Sequence, residues 1–167
     1  FFNAPMDPVP YYMEALRRDP GDYRVNTQLG LLSLKHKDFS QAEHYLQTAV
    51  DRITMRYTRP RDSDALYYLA LAKRRLGKRE EAYDLFYDAT WNLGWHSAAY
   101  EQLAEMDCEN NDYPTALKHV DRALTTNSRD LRILNLKVTI LRRLNRLEEA
   151  RELASENLRK DVLDLHS

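Results

Sequence analysis

A chain of 167 residues, 43% hydrophobic and 31% charged, carries enough apolar material for one packed domain, which excludes intrinsic disorder. Its net charge of -1 leaves no global positive field to draw nucleic acid or an anionic membrane. Apolar stretches such as Leu29 to Leu34 are too short to span a bilayer, and a single cysteine, Cys108, excludes an internal disulfide framework.

Four glycines and six prolines are too few for the turns of an all-β fold, and the sequence reads as a succession of helices. Helices are expected near 10–18, 23–36, 40–56, 63–76, 79–91, 97–110, 113–126, 130–144 and 147–159. Pro20-Gly21-Asp22 ends the first and offers Asp22 as the next N-cap. Asp62-Ser63, Asp112 and Asn127-Ser128 are expected to cap in the same way. Gly77, Asn111 and Asn145 fall in tight turns that want a left-handed residue. Pro60, within Arg56-Tyr57-Thr58-Arg59-Pro60-Arg61, marks an extended turn after a long helix.

The elements repeat. Ala42, Ala82, Ala116 and Ala150 are separated by 40, 34 and 34 residues. Twelve residues before each stand Gly30, Ala70, Ala104 and Val138; seven after stand Ala49, Ala89, Ala123 and Asn157. Larger residues, Leu29, Leu46, Leu69, Phe86 and Leu103, lie between the small ones. Small residues let two backbones approach, and large ones fill the seam. No such hairpin buries its apolar face alone, so neighbours must stack. The fourth copy departs most, with Lys137-Val138 where Leu-Gly is expected. A half copy comes first, with Tyr12, Ala15 and Pro20.

Leu66-x2-Leu69-Ala70, Gly77, Ala82, Phe86 and Ala89 resemble the tetratricopeptide repeat, and the resemblance runs over about 22–160. It implies an all-α fold, a right-handed superhelical solenoid of antiparallel helix pairs with about four and a half repeats. A half repeat would occupy 1–21 and the array 22–167, with repeats near 23–62, 63–96, 97–130 and 131–164. A narrower resemblance covers roughly 25–150. It rests on Thr54-Met55-Arg56-Tyr57, Asp64-Ala65-Leu66-Tyr67-Tyr68-Leu69, the run from Ala82 to Asn92, and Trp95 followed by Ala98-Ala99-Tyr100. These look like the C-terminal repeats of large bacterial proteins that carry a β-rich, mutarotase-like domain of unknown function. That implies the tail of a longer protein linked to carbohydrate processing, and a start at Phe1 rather than Met reads as a fragment. The expected location is the cytoplasm.

In such arrays the first helix of each repeat lines a concave face that binds partners. The inward positions are Arg24, Thr27, Leu31, Leu34 and Lys35, then Tyr67, Leu71, Arg74 and Arg75. Glu101, Glu105, Cys108 and Glu109 follow, then Arg132, Asn135, Thr139, Arg142 and Arg143. Arg24, Leu31, Lys35, Tyr67, Leu71, Arg74, Arg75, Glu101, Glu105 and Arg142 are the partner-binding candidates. This surface runs basic and apolar, then acidic, then basic, a pattern that reads a partner of matching charge. The clamp with which chaperone-binding members hold a C-terminal carboxylate is missing, since Thr27, Leu31, Tyr68, Ala98 and Gln102 occupy its positions.

No cofactor, metal or catalytic chemistry is expected. His36, His44, His96, His119 and His166 show no metal-ligand spacing, Cys108 has no adjacent histidine, and no phosphate-binding glycine loop is present. Glu80-Glu81 and Glu148-Glu149 sit where acids favour the helix dipole. The aromatic cluster of Trp91, Trp95, Tyr83, Phe86, Tyr87 and Tyr100 is expected to fill a wide seam rather than to bind sugar. Arg52, Arg56, Arg59 and Arg61 are basic but interleaved with Asp51, Asp62 and Asp64, which argues against nucleic acid. The expectation is a non-enzymatic module for a protein or peptide partner. The alternative is an appendage of a carbohydrate-active bacterial enzyme. A third reading is a homodimer through exposed terminal repeats, where Tyr11, Tyr12 and Leu16 stand uncovered.

Overall fold

The structure, a computed structural model, describes residues 7–55 and 63–164, with side chains to residue 159. The extended turn expected over 56–61, with Arg56, Arg59 and Arg61, the Asp62 cap and His166 lie outside the described residues. Among those described the protein is all-α. Its helices are α1 (Val9–Arg18), α2 (Tyr23–Lys35), α3 (Phe39–Thr54), α4 (Asp64–Arg75), α5 (Arg79–Ala89), α6 (Leu93–Glu109), α7 (Tyr113–Thr126), α8 (Leu131–Arg143) and α9 (Leu147–Asp164). They form two compact units, one up to Ala89 and one from Thr90.

Side-chain caps start most helices, because the first backbone N–H groups of a helix have no partner within it. The Asp22 carboxylate accepts from the Arg24 and Val25 N–H groups, Asp38 from Gln41, Asn92 from Gly94 and Asp112 from Thr115. Asp130, not Asn127-Ser128, caps α8, accepting from Arg132 at 2.9 Å. Asn127 instead closes α7 and donates its side-chain amide to Asp130. The Asn92 cap also moves the start of α6 to Leu93, four residues ahead of the position expected from the repeat. At the other end α9 runs to Asp164, past the expected 159.

The turns inside the four hairpins are alike. Lys37, Gly77, Asn111 and Asn145 have φ of 62°, 79°, 61° and 58°. Beside each, an N–H reaches back to a carbonyl five residues earlier at 2.9 Å: Asp38 to Ser33, Lys78 to Lys73, Asp112 to Asp107 and Arg146 to Leu141. This is the Schellman closure. Lys37 was not anticipated there, since a lysine gains nothing from that conformation.

In the first unit, α2 packs on α3, α4 on α5, and α3 on α4, with α1 laid on α2 and α2 touching α4. In the second, α6 packs on α7, α7 on α8 and α8 on α9. Ala42, Leu46, Ala49, Ala82, Phe86, Ala89, Ala116, Val120 and Ala123 are fully buried. The tightest approach is at Gly30, where a Cβ would stand 2.4 Å from Cγ of Leu46. Asn157, in the register of Ala49, Ala89 and Ala123, is buried and donates its side-chain amide to the Asn135 side chain at 3.1 Å.

Two stability predictions follow from the hairpins. Gly30→Ala overpacks the seam against the fully buried Leu46 side chain. After the gain in helix propensity, urea denaturation should show a loss of about 1–2 kcal/mol. Combining it with Leu46→Ala should cost less than the sum of the two single changes; full additivity would contradict the contact. Lys37→Asn should stabilise the protein by about 0.5–1 kcal/mol in thermal unfolding by removing a left-handed lysine.

Candidate functional site

In the first unit the layer made by α2 and α4 holds the first half of the expected site. Arg24, Lys35 and Arg75 are exposed, and Leu31, Leu34, Tyr67, Leu71 and Arg74 are half-buried. Tyr67 is fixed by its neighbours, its ring edge-on to Phe86 at 5.6 Å and to Tyr68 at 5.7 Å. Arg24 folds onto Tyr23, donating from Nε to the phenol oxygen at 3.1 Å. Thr27 is no open position: it is buried, and its hydroxyl donates to the Tyr23 carbonyl at 2.7 Å.

Beneath this layer lies an ion cluster that the sequence pattern did not reveal. The Lys73 ammonium is buried on α4. It stands 3.0 Å from Glu43 of α3 and 2.5 Å from Glu81 of α5. Lys78 meets the same Glu43 at 2.7 Å. Burial pushes the Lys73 ammonium down, but hydrogen bonds to Glu81 and Glu43 outweigh it and hold the group above its ordinary value. The Lys78 hydrogen bond, against burial and with help from Lys73, holds Glu43 below the usual carboxylate value. One register-equivalent clue was present: Ser33, one repeat earlier, bonds Gln41 eight residues on, as Lys73 bonds Glu81.

In the second unit α6 and α8 carry the rest. Glu101 is buried and paired with Arg132 at 3.2 Å, an ion pair that ties α6 to α8. Burial raises its carboxyl above the ordinary value, and Arg132 opposes this. Glu105 and Cys108 are half-buried; Glu109, Arg132, Asn135, Thr139, Arg142 and Arg143 are exposed. Burial pushes the Cys108 thiol up, and Asp107, Glu105 and Glu109 push it further, which disfavours the nucleophilic thiolate.

The aromatic cluster does not act as one filler. Trp91 is 61% exposed and Tyr87 47% exposed, while Trp95 is half-buried. Tyr100 is buried within a second group. His96 stands edge-on to it at 4.8 Å and His119 lies 5.5 Å away. His119 Nδ1 is 2.6 Å from the buried Asp107 carboxylate, clasping α6 to α7. Among the described residues no group of three or more His, Cys, Asp or Glu side chains is placed to hold a metal ion, and no helix is long and apolar enough to cross a membrane. On α1, Tyr11 is exposed and Tyr12 and Leu16 are half-buried.

The tetratricopeptide repeat profile matches residues 27–92 and 108–161. The fold is similar to that of MamA, with a TM-score of 0.83 and 17% identity over 93% of this chain and 88% of that one. YrrB, described as a tetratricopeptide protein with an unusual peptide-binding site, gives a TM-score of 0.72 and 16% identity over 90% and 74%. PilF of Pseudomonas aeruginosa gives 0.71 and 20% over 93% and 67%. At these identities the likeness is one of fold.

Lys73→Met keeps the aliphatic stem and removes the charge, so it should cost about 1–3 kcal/mol at neutral pH in urea denaturation. Glu43 is stabilising above the ordinary carboxylate pKa and loses that contribution as pH falls through its lowered value. The gap between wild type and variant should therefore narrow on acidification. A gap unchanged by pH would mean that Lys73 acts through packing alone.

Proposed function

The chain belongs to the tetratricopeptide repeat family, and on that premise we propose that it is a non-enzymatic interaction module that binds a protein or peptide partner on the layer formed by its first helices. The observation that carries the reading is on α2 and α4, where half-buried Leu31, Tyr67 and Leu71 lie among the cations Arg24, Lys35, Arg74 and Arg75. An apolar floor with charged margins gives a partner both area to bury and groups to pair. YrrB, of similar fold, has a peptide-binding site. The assignment of a half repeat before repeats near 23–62, 63–96, 97–130 and 131–164 belongs to the same proposal.

A second reading has the array serve as a structural or regulatory appendage of a larger carbohydrate-active bacterial enzyme. Its support is the resemblance of Asp64–Leu69 and Ala82–Asn92 to repeats that follow a mutarotase-like domain. A third, self-association, draws on Tyr11 and Met13, 64% and 44% exposed on α1.

Affinity capture from the source cell with the native chain and with the Tyr67→Ala/Arg74→Ala/Arg75→Ala variant tests the leading reading. The expected result is a partner held by the native chain and lost by a variant of equal helicity. Equal capture by both would overturn the first-helix site. No capture by two folded proteins would favour the appendage, and mass growth with concentration in light scattering would favour self-association.

A further inference from the structure

Charge in the first unit is sorted by helix layer. Helix α2 carries Arg24 and Lys35 and no acid; α4 carries Lys73, Arg74 and Arg75 against Asp64 alone. The acids sit on the second helices: Glu43 and Asp51 on α3, and Glu80, Glu81, Asp84 and Asp88 on α5. Those carboxylates reach only part of the basic layer. Glu43 and Glu81 neutralise Lys73 and Lys78 from behind. Lys35 and Arg75 are exposed, and neither has an ion-pair partner among the described residues.

The two cations lie at the same edge. Lys78, just past the end of α4, pairs with Glu43 near the start of α3, and the tight turn at Lys37 joins the start of α3 to the end of α2. Helix dipoles favour a cation at each C-terminal end, which accounts for the ends being basic. It does not account for first helices that carry one acid between them, Asp64, while the second helices carry the others, nor for the apolar Leu31, Tyr67 and Leu71 beside the cations. Together these make a surface that is positive at its margin and apolar along its floor.

Resting on the first-helix reading above, we infer that the partner segment bound by the first unit is an acidic peptide whose carboxylates meet Lys35 and Arg75 while its apolar side chains lie on Leu31, Tyr67 and Leu71. The apolar floor distinguishes this from a general anion site, which would need cations and no such floor.

The test uses fluorescein-labelled peptides of about eight residues that alternate Glu with Leu, alongside counterparts with Gln or Lys in place of Glu. Binding to the full chain is read by fluorescence anisotropy at low and at physiological salt. The Glu peptide should bind at least roughly tenfold more tightly than the Gln peptide, with the margin shrinking as salt screens the charges. Lys35→Glu/Arg75→Glu should remove that preference, whereas Arg151→Glu/Arg159→Glu, on the exposed face of α9 and outside the first-helix layer, should leave it intact. Circular dichroism melts check that both variants fold.

Equal binding of Glu and Gln peptides, lost in Tyr67→Ala/Leu71→Ala, would overturn the acidic preference while keeping the first-helix site. Binding indifferent to all of these changes would overturn both. A preference lost only in Arg151→Glu/Arg159→Glu, or no binding of the Glu peptide at all, would refute the inference. So would a single-stranded oligonucleotide of matched charge that competes as well as the peptide.

Discussion

The fold depends on how closely the two helices of a hairpin approach. At Gly30 the α2 backbone lies so near the Leu46 side chain that a single carbon would be 2.4 Å from it. Sixteen residues separate those partners, and the same offset pairs Ala70 with Phe86 and Ala104 with Val120 in register. In each of these pairs the small residue is on the first helix and the large one on the second. The fourth hairpin reverses the order, with Val138 on α8 and Ala154 on α9. Both are half-buried where the pairs of the other hairpins are buried, so the departure of Val138 from the repeat pattern goes with a less enclosed seam, and the hairpin is retained.

Once the seam fixes the spacing, the polar groups near the closing turn have little choice of partner. Ser33, Lys73 and Asp107 share one register position, and each links across to its own second helix: Ser33 to Gln41, Lys73 to Glu81, Asp107 to His119. Their own carbonyls accept the Schellman bonds that close the turns. A buried polar side chain without a partner is costly, so a slip of either helix would strand these groups. They specify the register that the small and large residues make possible.

What was legible in the sequence was local. Asp22, Asp112, Gly77, Asn111 and Asn145 act through the backbone of their own few residues, and their chemistry states their position. The alanine spacing was legible because a close approach tolerates only small side chains. Lys73 was not, because a lysine within an amphipathic helix reads as surface until Glu43, thirty residues earlier, is brought against it. Glu101 reads as surface in the same way, since its ion pair with Arg132 joins residues thirty-one apart on different helices. Asn92 was passed over as loop, and α6 gained a turn that the repeat register did not contain. Trp91 shows that an aromatic residue can be placed near a seam by sequence while its ring stays outside it.

The same distinction between local and distant partners separates the two units in what they ask of a ligand. In the second unit α6 carries only acids and α8 only bases, and Glu101 with Arg132 shows adjacent first helices beginning to neutralise one another. In the first unit both first helices are mainly basic, with Asp64 the one acid on either. Compensation from the second helices behind is partial, since Glu43 and Glu81 reach Lys73 and Lys78 but not Lys35 or Arg75. A mainly basic layer over a mainly acidic one, in a chain whose net charge is close to zero, places unmet charge on one face of one unit while the whole protein stays balanced. Electrostatic attraction between such a face and a partner falls off within a Debye length, so it favours a ligand laid along α2 and α4 over one drawn from a distance.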